Sequence, residues 1–300
     1  FVPLDELRAS DSGRIVGPKA AKLGELRKHY PQHVSRGVAI PFGLFREEAL
    51  EQPHSAGGTV FDWMVGQYAE LAAIPSSSLE HAQKAESLRA EIYDIVVNTR
   101  VSTDFRNKLQ AAMKETFGTD SPPGVFVRSD TNVEDLAGFT GAGLNLTLPN
   151  VVGFENLLDS ISRVWASPFT ARAFAWRQSH MTQPEHVYTS ILLLESVASD
   201  KSGVLVTQDI DTGARDIVSV AVNEGLGGAV DGQAAESLRI ALDGSNVQVL
   251  ATATAPWLRR PGPDGGLEIL PSSGSDTVLQ PAEIEQVIEF SRHLPDKFPS

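Results

Sequence analysis

Gly124-Val125-Phe126-Val127-Arg128-Ser129-Asp130-Thr131-Asn132-Val133-Glu134-Asp135-Leu136 reads as a β-rich strand over 124–128 that runs straight into a polar turn, with Gly138, Gly141 and Gly143 just beyond. An arginine at the C-terminal end of a strand can point its planar fork of donors into a crevice, where it suits phosphate oxygens. Glycines beyond it let the backbone approach an anion closely and donate N–H groups. Taken bare, the pattern has a plainer reading as well. A strand-end arginine more commonly serves a structural ion pair, and three spaced glycines often mark only a loop.

Three further segments carry chemistry of the same kind. Gly17-Pro18-Lys19-Ala20-Ala21-Lys22-Leu23-Gly24-Glu25-Leu26 places Lys19 at a helix N-terminus, where free N–H groups and the helix dipole favour an anion. A solvated lysine is the plain alternative. Leu192-Leu193-Leu194-Glu195-Ser196-Val197 is an apolar strand ending in polar residues, and such an edge can offer one C=O and one N–H to an adenine ring. An ordinary core strand reaching the surface explains it equally simply. Asn223-Glu224-Gly225-Leu226-Gly227-Gly228 follows another strand but misses the G-x-G-x-x-G spacing of a dinucleotide fingerprint, which argues against a Rossmann site.

Around these segments the first half of the chain is helix-rich. Helical periodicity marks 59–73, 78–97 and 103–117, each opening on a Ser or Thr able to cap, and helices follow over 154–164 and 169–177. The second half is strand-rich, with runs over 188–194, 203–208, 216–222, 238–242 and 247–251. The Pro-, Gly- and Ser-rich stretch 256–275 reads as a surface loop, and 281–294 as a closing helix. The change of pattern falls near His180 to His186, which predicts an α+β fold of two subdomains, 1–183 and 184–300. With 300 residues, 41% of them hydrophobic, the chain can bury a substantial core. A net charge of −13 argues against nucleic acid as a partner. No cysteine is present, so disulfides, thiolate metal sites and a cysteine nucleophile are excluded. No apolar run is long enough to span a bilayer, so no membrane partner is expected and a cytoplasmic protein is.

Taken together and in order, the segments resemble the nucleotide-binding domain of the phosphoenolpyruvate synthase and pyruvate phosphate dikinase family. Gly17 to Leu26 is similar to its lysine motif, Val127 to Leu136 to its Val-Arg-Ser-x-x-x-x-Glu-Asp-Leu motif, and Phe139-Thr140-Gly141 to its Phe-Ala-Gly loop. Trp165 to Ala173 resembles its Trp-Ala-Ser-x-Phe-Thr-x-Arg-Ala helix, Ser202 to Gly213 its hairpin, and Glu224 to Val230 its Gly-Leu-Gly turn. Within the family, residues 128–144 are most similar to the version in glucan, water dikinases, so the acceptor is open among pyruvate, a glucan and another small molecule.

The resemblance implies an ATP-grasp-like fold with ATP and Mg²⁺ in a cleft between the subdomains. Lys19 and Arg128 would bind the phosphates and stabilise charge during phosphoryl transfer. Gly141, Ala142 and Gly143 would form a lid, and Glu195, Ser196 and Val197 would read the adenine. The β-phosphoryl group would pass to a histidine on a carrier domain. None of the seven histidines here has a Gly-Gly-x-Thr-x-His setting, so that carrier and the Asp-x-Glu segment holding Mg²⁺ are expected beyond Ser300, the chain being a truncated module not active alone.

Some positions depart from the family pattern. Pro18 replaces a glycine and removes one N–H from the lysine loop, Glu195 stands where glutamine is common, and Ala235-Glu236 stands where Pro-Asp is usual. Pro18 and Glu195 motivate a second reading, a non-catalytic nucleotide sensor or scaffold. A carbohydrate-contacting module is a third, resting on Trp63, Trp165, Trp176 and Trp257, which core packing explains better.

Overall fold

The computed structural model describes residues 1–118, 124–134 and 146–297, the side chains of 295–297 excepted. Its elements are β1 (Val2–Pro3), α1 (Pro18–His29), β2 (Gly37–Ile40), α2 (Phe42–Phe45), α3 (Val60–Ala72), α4 (Leu79–Val97), α5 (Thr103–Phe117), β3 (Val125–Thr131), β4 (Thr147–Val151), α6 (Phe154–Ala166), α7 (Ala171–His180), β5 (Thr189–Glu195), β6 (Lys201–Val206), β7 (Ile217–Glu224), β8 (Glu236–Ala241), β9 (Val247–Ala251), β10 (Trp257–Pro261), β11 (Leu267–Pro271) and α8 (Pro281–Lys297). The mixture is α+β. Contacts divide it into two compact units, Phe1–Ser196 with Asp264–Gly266, and Val197–Pro263 with Leu267–Ser300.

The first unit is built on an antiparallel sheet of order β1-β2-β5-β3-β4. Side chains alternate across a strand, so β2 and β5 each feed two cores. Val125 and Val127 of β3 and Ile191 and Leu193 of β5 enter a large apolar cluster with α3, α4, α5 and α6, where Trp165, Phe45, Phe105 and Met64 are wholly buried. Ala39 and Leu192 point the other way and meet Ala20 and Ala21 of α1 with Leu4, Leu7 and Val16. Thus, among the described residues of this unit, α1 and the chain before it cover one face, and α2 to α7 cover the other. The helices stop and start where the sequence says they should. Thr59 caps α3 and exchanges a reciprocal pair of hydrogen bonds with Asp62, Ser78 and Ser102 cap α4 and α5, and Gly118 ends α5 with φ +76°.

Two differences in this unit matter for function. The contact division falls after Ser196, downstream of the change of pattern at 180–186, because β5 is the central strand of the first sheet, paired to both β2 and β3. And β3 does not end at Arg128. It runs three residues further, Ser129, Asp130 and Thr131 pairing with Ile191, Ser190 and Thr189. These polar residues look like a turn in sequence, yet all three are buried, and hydrogen bonds to α1 and β5 make that burial possible.

In the second unit β6, β7, β8 and β9 form an antiparallel sheet, whose Val218, Val220, Leu238 and Ile240 pack with Val278, Leu279 and Ile288. The stretch read as a surface loop, 256–275, contains the hairpin β10–β11 instead, with five paired positions from Trp257↔Pro271 to Pro261↔Leu267. Its prolines stand at the strand ends, where a missing N–H breaks little of the ladder. Glu236, one of the departures from the family pattern, is 2% exposed and accepts from the N–H groups of Val278 and Leu279, at 3.0 and 2.8 Å. It holds the chain that leads into α8.

Candidate functional site

Lys19 lies in the first turn of α1, just after Pro18 at the first helical position. That position's N–H has no helical partner in any case, so Pro18 costs no helix hydrogen bond and presets the turn. The next two N–H groups are occupied. Lys19 N donates to Asp130 Oδ1 at 2.9 Å and Ala20 N to Asp130 Oδ2 at 2.8 Å. The anion at this helix N-terminus is the chain's own Asp130, reaching across from β3, where the sequence suggested a bound phosphate. The approach is so close that a Cβ at Gly17 would overlap the Asp130 carboxylate, which accounts for glycine there. Gly17 N donates to Ser190 Oγ at 2.9 Å, and Ser190 Oγ donates to the Asp130 carbonyl at 2.7 Å, tying helix, β3 and β5 together.

The Lys19 ammonium is placed by two acceptors. Nζ donates to the Ser129 carbonyl at 3.2 Å and forms an ion pair with Glu134 Oε1. The lysine side chain keeps 28% exposure while Glu134 has 6%. Burial pushes the Glu134 carboxyl up to about 7 against the pull of Lys19, and nearby Asp130 adds to the rise. Burial also raises Asp130, opposed by the N–H groups of Ala20 and Lys19. Two crowded carboxyl groups and one ammonium therefore leave a site that can take up a proton near neutrality.

Arg128 sits on the same face of β3 as Asp130, two residues along, and its Nε is buried with no hydrogen-bond partner among the described residues. A buried, unsatisfied guanidinium donor is costly unless something else accepts from it. The expected position of this arginine at a strand end is corrected to mid-strand, opposite Leu192. Residues 135–145, with Gly141, Ala142, Gly143 and the Phe139-Thr140-Gly141 loop, lie outside the described residues. Their two stems flank the lysine. Glu134 precedes them, and Leu146 follows, exchanging hydrogen bonds with Ser129 at 2.9 Å in both directions.

The proposed adenine edge is largely committed to the fold. Glu195 N donates to the Arg36 carbonyl at 3.0 Å, and Ser196 N to the Gly124 carbonyl at 2.9 Å. The Glu195 carboxylate receives Arg36 Nε and Nη2 at 3.0 and 2.6 Å, a bidentate pair. A buried Ser196 Oγ has no partner among the described residues, and Val197, half exposed, begins the second unit. The Gly-Leu-Gly turn is likewise occupied with its own unit: Gly225 N donates to the Asp200 carbonyl, Leu226 N to the Arg259 carbonyl and Gly227 N to Ser202 Oγ.

Sequence reasoning missed three supports: Asp130 as the α1 cap, Glu134 as the partner of Lys19, and Arg36 as the partner of Glu195. The first two stand in the quoted arginine motif, but only pairing across more than a hundred residues shows their use. Among the described residues no group of three or more His, Cys, Asp and Glu could hold a metal ion. No helix among them is long and apolar enough to cross a membrane.

A family model, the pyruvate phosphate dikinase AMP/ATP-binding domain, matches residues 13–257, a span that includes Lys19, the arginine motif and β5. The chain belongs to this family. A probable phosphoenolpyruvate synthase of Methanothermobacter thermautotrophicus is 27% identical over 303 residues, covering 99% of this chain and 42% of that protein. A rifampicin phosphotransferase of Bacillus cereus is 27% identical over 284 residues, 93% of this chain and 31% of its own length. A rifampicin phosphotransferase of a Streptomyces species is 31% identical over 216 residues, 72% of this chain and 23% of its own. The family is one of phosphotransferases with an AMP/ATP-binding domain, and the chain spans less than half the length of these curated relatives.

Proposed function

We propose that this chain is the ATP-binding module of a dikinase-type phosphotransferase, ATP-grasp-like in fold, in which Lys19 and Arg128 hold the ATP phosphates. The observation that carries the reading is that a buried Arg128 Nε, without a partner among the described residues, shares the α1 face of the sheet with Lys19, partly exposed at the N-terminus of α1. Phosphate oxygens would take Lys19 from Glu134 and satisfy the arginine. In transfer, fixed cations beside the phosphates stabilise the charge that develops on the equatorial oxygens without having to reorganise. Asp130, by holding the helix end and sharing its face with Arg128, keeps the two cations in register.

Glu195, Ser196 and Val197 remain the proposed adenine contacts. With the N–H groups of Glu195 and Ser196 engaged, the contact falls to carbonyl oxygens, the Ser196 hydroxyl and Val197. Gly141, Ala142 and Gly143 are proposed as the lid over the phosphates. No group of three or more His, Cys, Asp and Glu among the described residues could hold a metal ion, and no step is assigned to Mg²⁺. The β-phosphoryl group is proposed to pass to a carrier histidine in the parent protein and then to pyruvate or another acceptor. The names of the relatives, phosphoenolpyruvate synthase and rifampicin phosphotransferase, support the phosphotransferase reading over a sensor and keep the acceptor broad.

The test is ATP labelled at the β or at the γ phosphate, offered to the parent protein. Acid-labile label on protein from the β position alone, lost with Lys19→Ala, is the expected result. Label from the γ position alone would overturn the dikinase reading.

A further inference from the structure

Arg177, on α7, is 3% exposed, and its Nε and Nη2 have no hydrogen-bond partner among the described residues. The rings of Phe169 and Phe174 stand 5.1 and 5.9 Å from its guanidinium carbon, and Tyr68 is the one ionisable group with which it interacts. Burial lowers its pKa to about 10 and lifts that of Tyr68 to about 12, so at neutral pH a cation faces a neutral phenol. The Tyr68 hydroxyl is buried against the Arg177 guanidinium, with the Glu185 carboxylate a weaker neighbour, and Gln178 Nε2 is buried with no hydrogen-bond partner among the described residues. Aromatic faces attract a cation, but they accept no directional hydrogen bonds from its planar fork. Two consecutive residues of α7, Arg177 and Gln178, thus carry unused donors, and the first of them lies against Tyr68.

Tyr68 and Gln178 line a cavity of about 620 Å³, between the end of α3, the start of α4 and the chain after α7. The volume is that of a small-molecule site. Leu71, Ile74 and Met181 supply apolar wall, and among the described residues the one wall carboxylate, Glu185, lies 3.9 Å from the His186 imidazole while also facing Tyr68. Tyr68 and Phe174 belong to the helical cluster on one face of the sheet, whereas Lys19 stands on α1, on the other. The cavity is thus separate from the phosphate site.

We propose that this cavity binds a small organic carboxylate, its charged end accepting from the Tyr68 hydroxyl and the Gln178 amide in the field of Arg177, and its apolar body against Leu71, Ile74 and Met181. Buried donors with a positive charge behind them select an anion, and the apolar wall selects one with a hydrophobic body.

Calorimetry with phenylbutyrate as the probe tests this, with phenylbutanol and inorganic phosphate as controls. Saturable binding of the carboxylate is expected, weaker by about tenfold or more in Tyr68→Phe and in Arg177→Met, and unchanged in Lys19→Ala. The alcohol and inorganic phosphate should bind at least about tenfold more weakly than the carboxylate. If Arg177→Met does not fold, Tyr68→Phe and Gln178→Leu decide. No binding of phenylbutyrate, equal affinity in Tyr68→Phe, or equal affinity for the alcohol or for phosphate would each overturn the proposal.

Discussion

Lys19 is held by a carboxylate that sits close to its own ionisation point, and this sets a pH signature. The Glu134 carboxyl is raised by burial from 4.5 to about 7. A raised acid keeps its proton longer in the folded state than in the unfolded one, so stability falls as pH rises through the window from 4.5 to about 7. Glu134→Gln should flatten that slope, as read from urea midpoints across the window; an unchanged slope would remove Glu134 as its source. Transfer of Lys19 to a phosphate would raise the carboxyl further. ATP binding at a pH of about 8 should then draw in a proton, seen as a dependence of the binding heat on buffer ionisation enthalpy. The same variant should abolish it. At Gly17 the constraint is steric: Gly17→Ala forces its methyl onto Asp130, which should destabilise by about 1–3 kcal/mol in denaturant titrations.

At the scale of elements, β3 carries the account. Its three polar residues past Arg128 read as a turn because Ser, Asp and Thr usually mark turns. Only α1 above and β5 beside them explain their burial. Helix α1 itself was legible from Pro18, the spacing of Ala20, Leu23 and Leu26, and Pro31 beyond its end, as were the capped starts of α3 and α4. The cations of the site were legible as residue types at motif positions. Their partners, Asp130, Glu134 and Arg36, were not, since each contact joins positions distant in the chain. The β10–β11 hairpin was hidden by its prolines and glycines, which dominate a local reading although the cross-strand pairing is regular. Asp130 is the element-scale test. Asp130→Ala removes two charge-assisted hydrogen bonds from the end of α1 and should cost about 2–4 kcal/mol. A drop in ATP affinity should accompany it, because α1 carries Lys19. By contrast, Glu195→Gln loses only a partly exposed ion pair with Arg36 and should leave the denaturation midpoint nearly unchanged.

For the whole molecule, two compact units and a family match over residues 13–257 fit a nucleotide module of a longer phosphotransferase. Its relatives' names point to different acceptors, so acceptor choice is proposed to lie with parts of the parent protein beyond this chain. What this chain is proposed to contribute is ATP binding through Lys19 and Arg128, two cations on one face of one sheet. Calorimetric titration of ATP with Mg²⁺ into the wild-type chain, Lys19→Ala and Arg128→Ala measures that claim directly. The account predicts saturable binding to wild type and a loss of about tenfold or more in each variant, the worth of one charge-assisted phosphate contact. Wild-type affinity in both variants, with the fold intact, would contradict it.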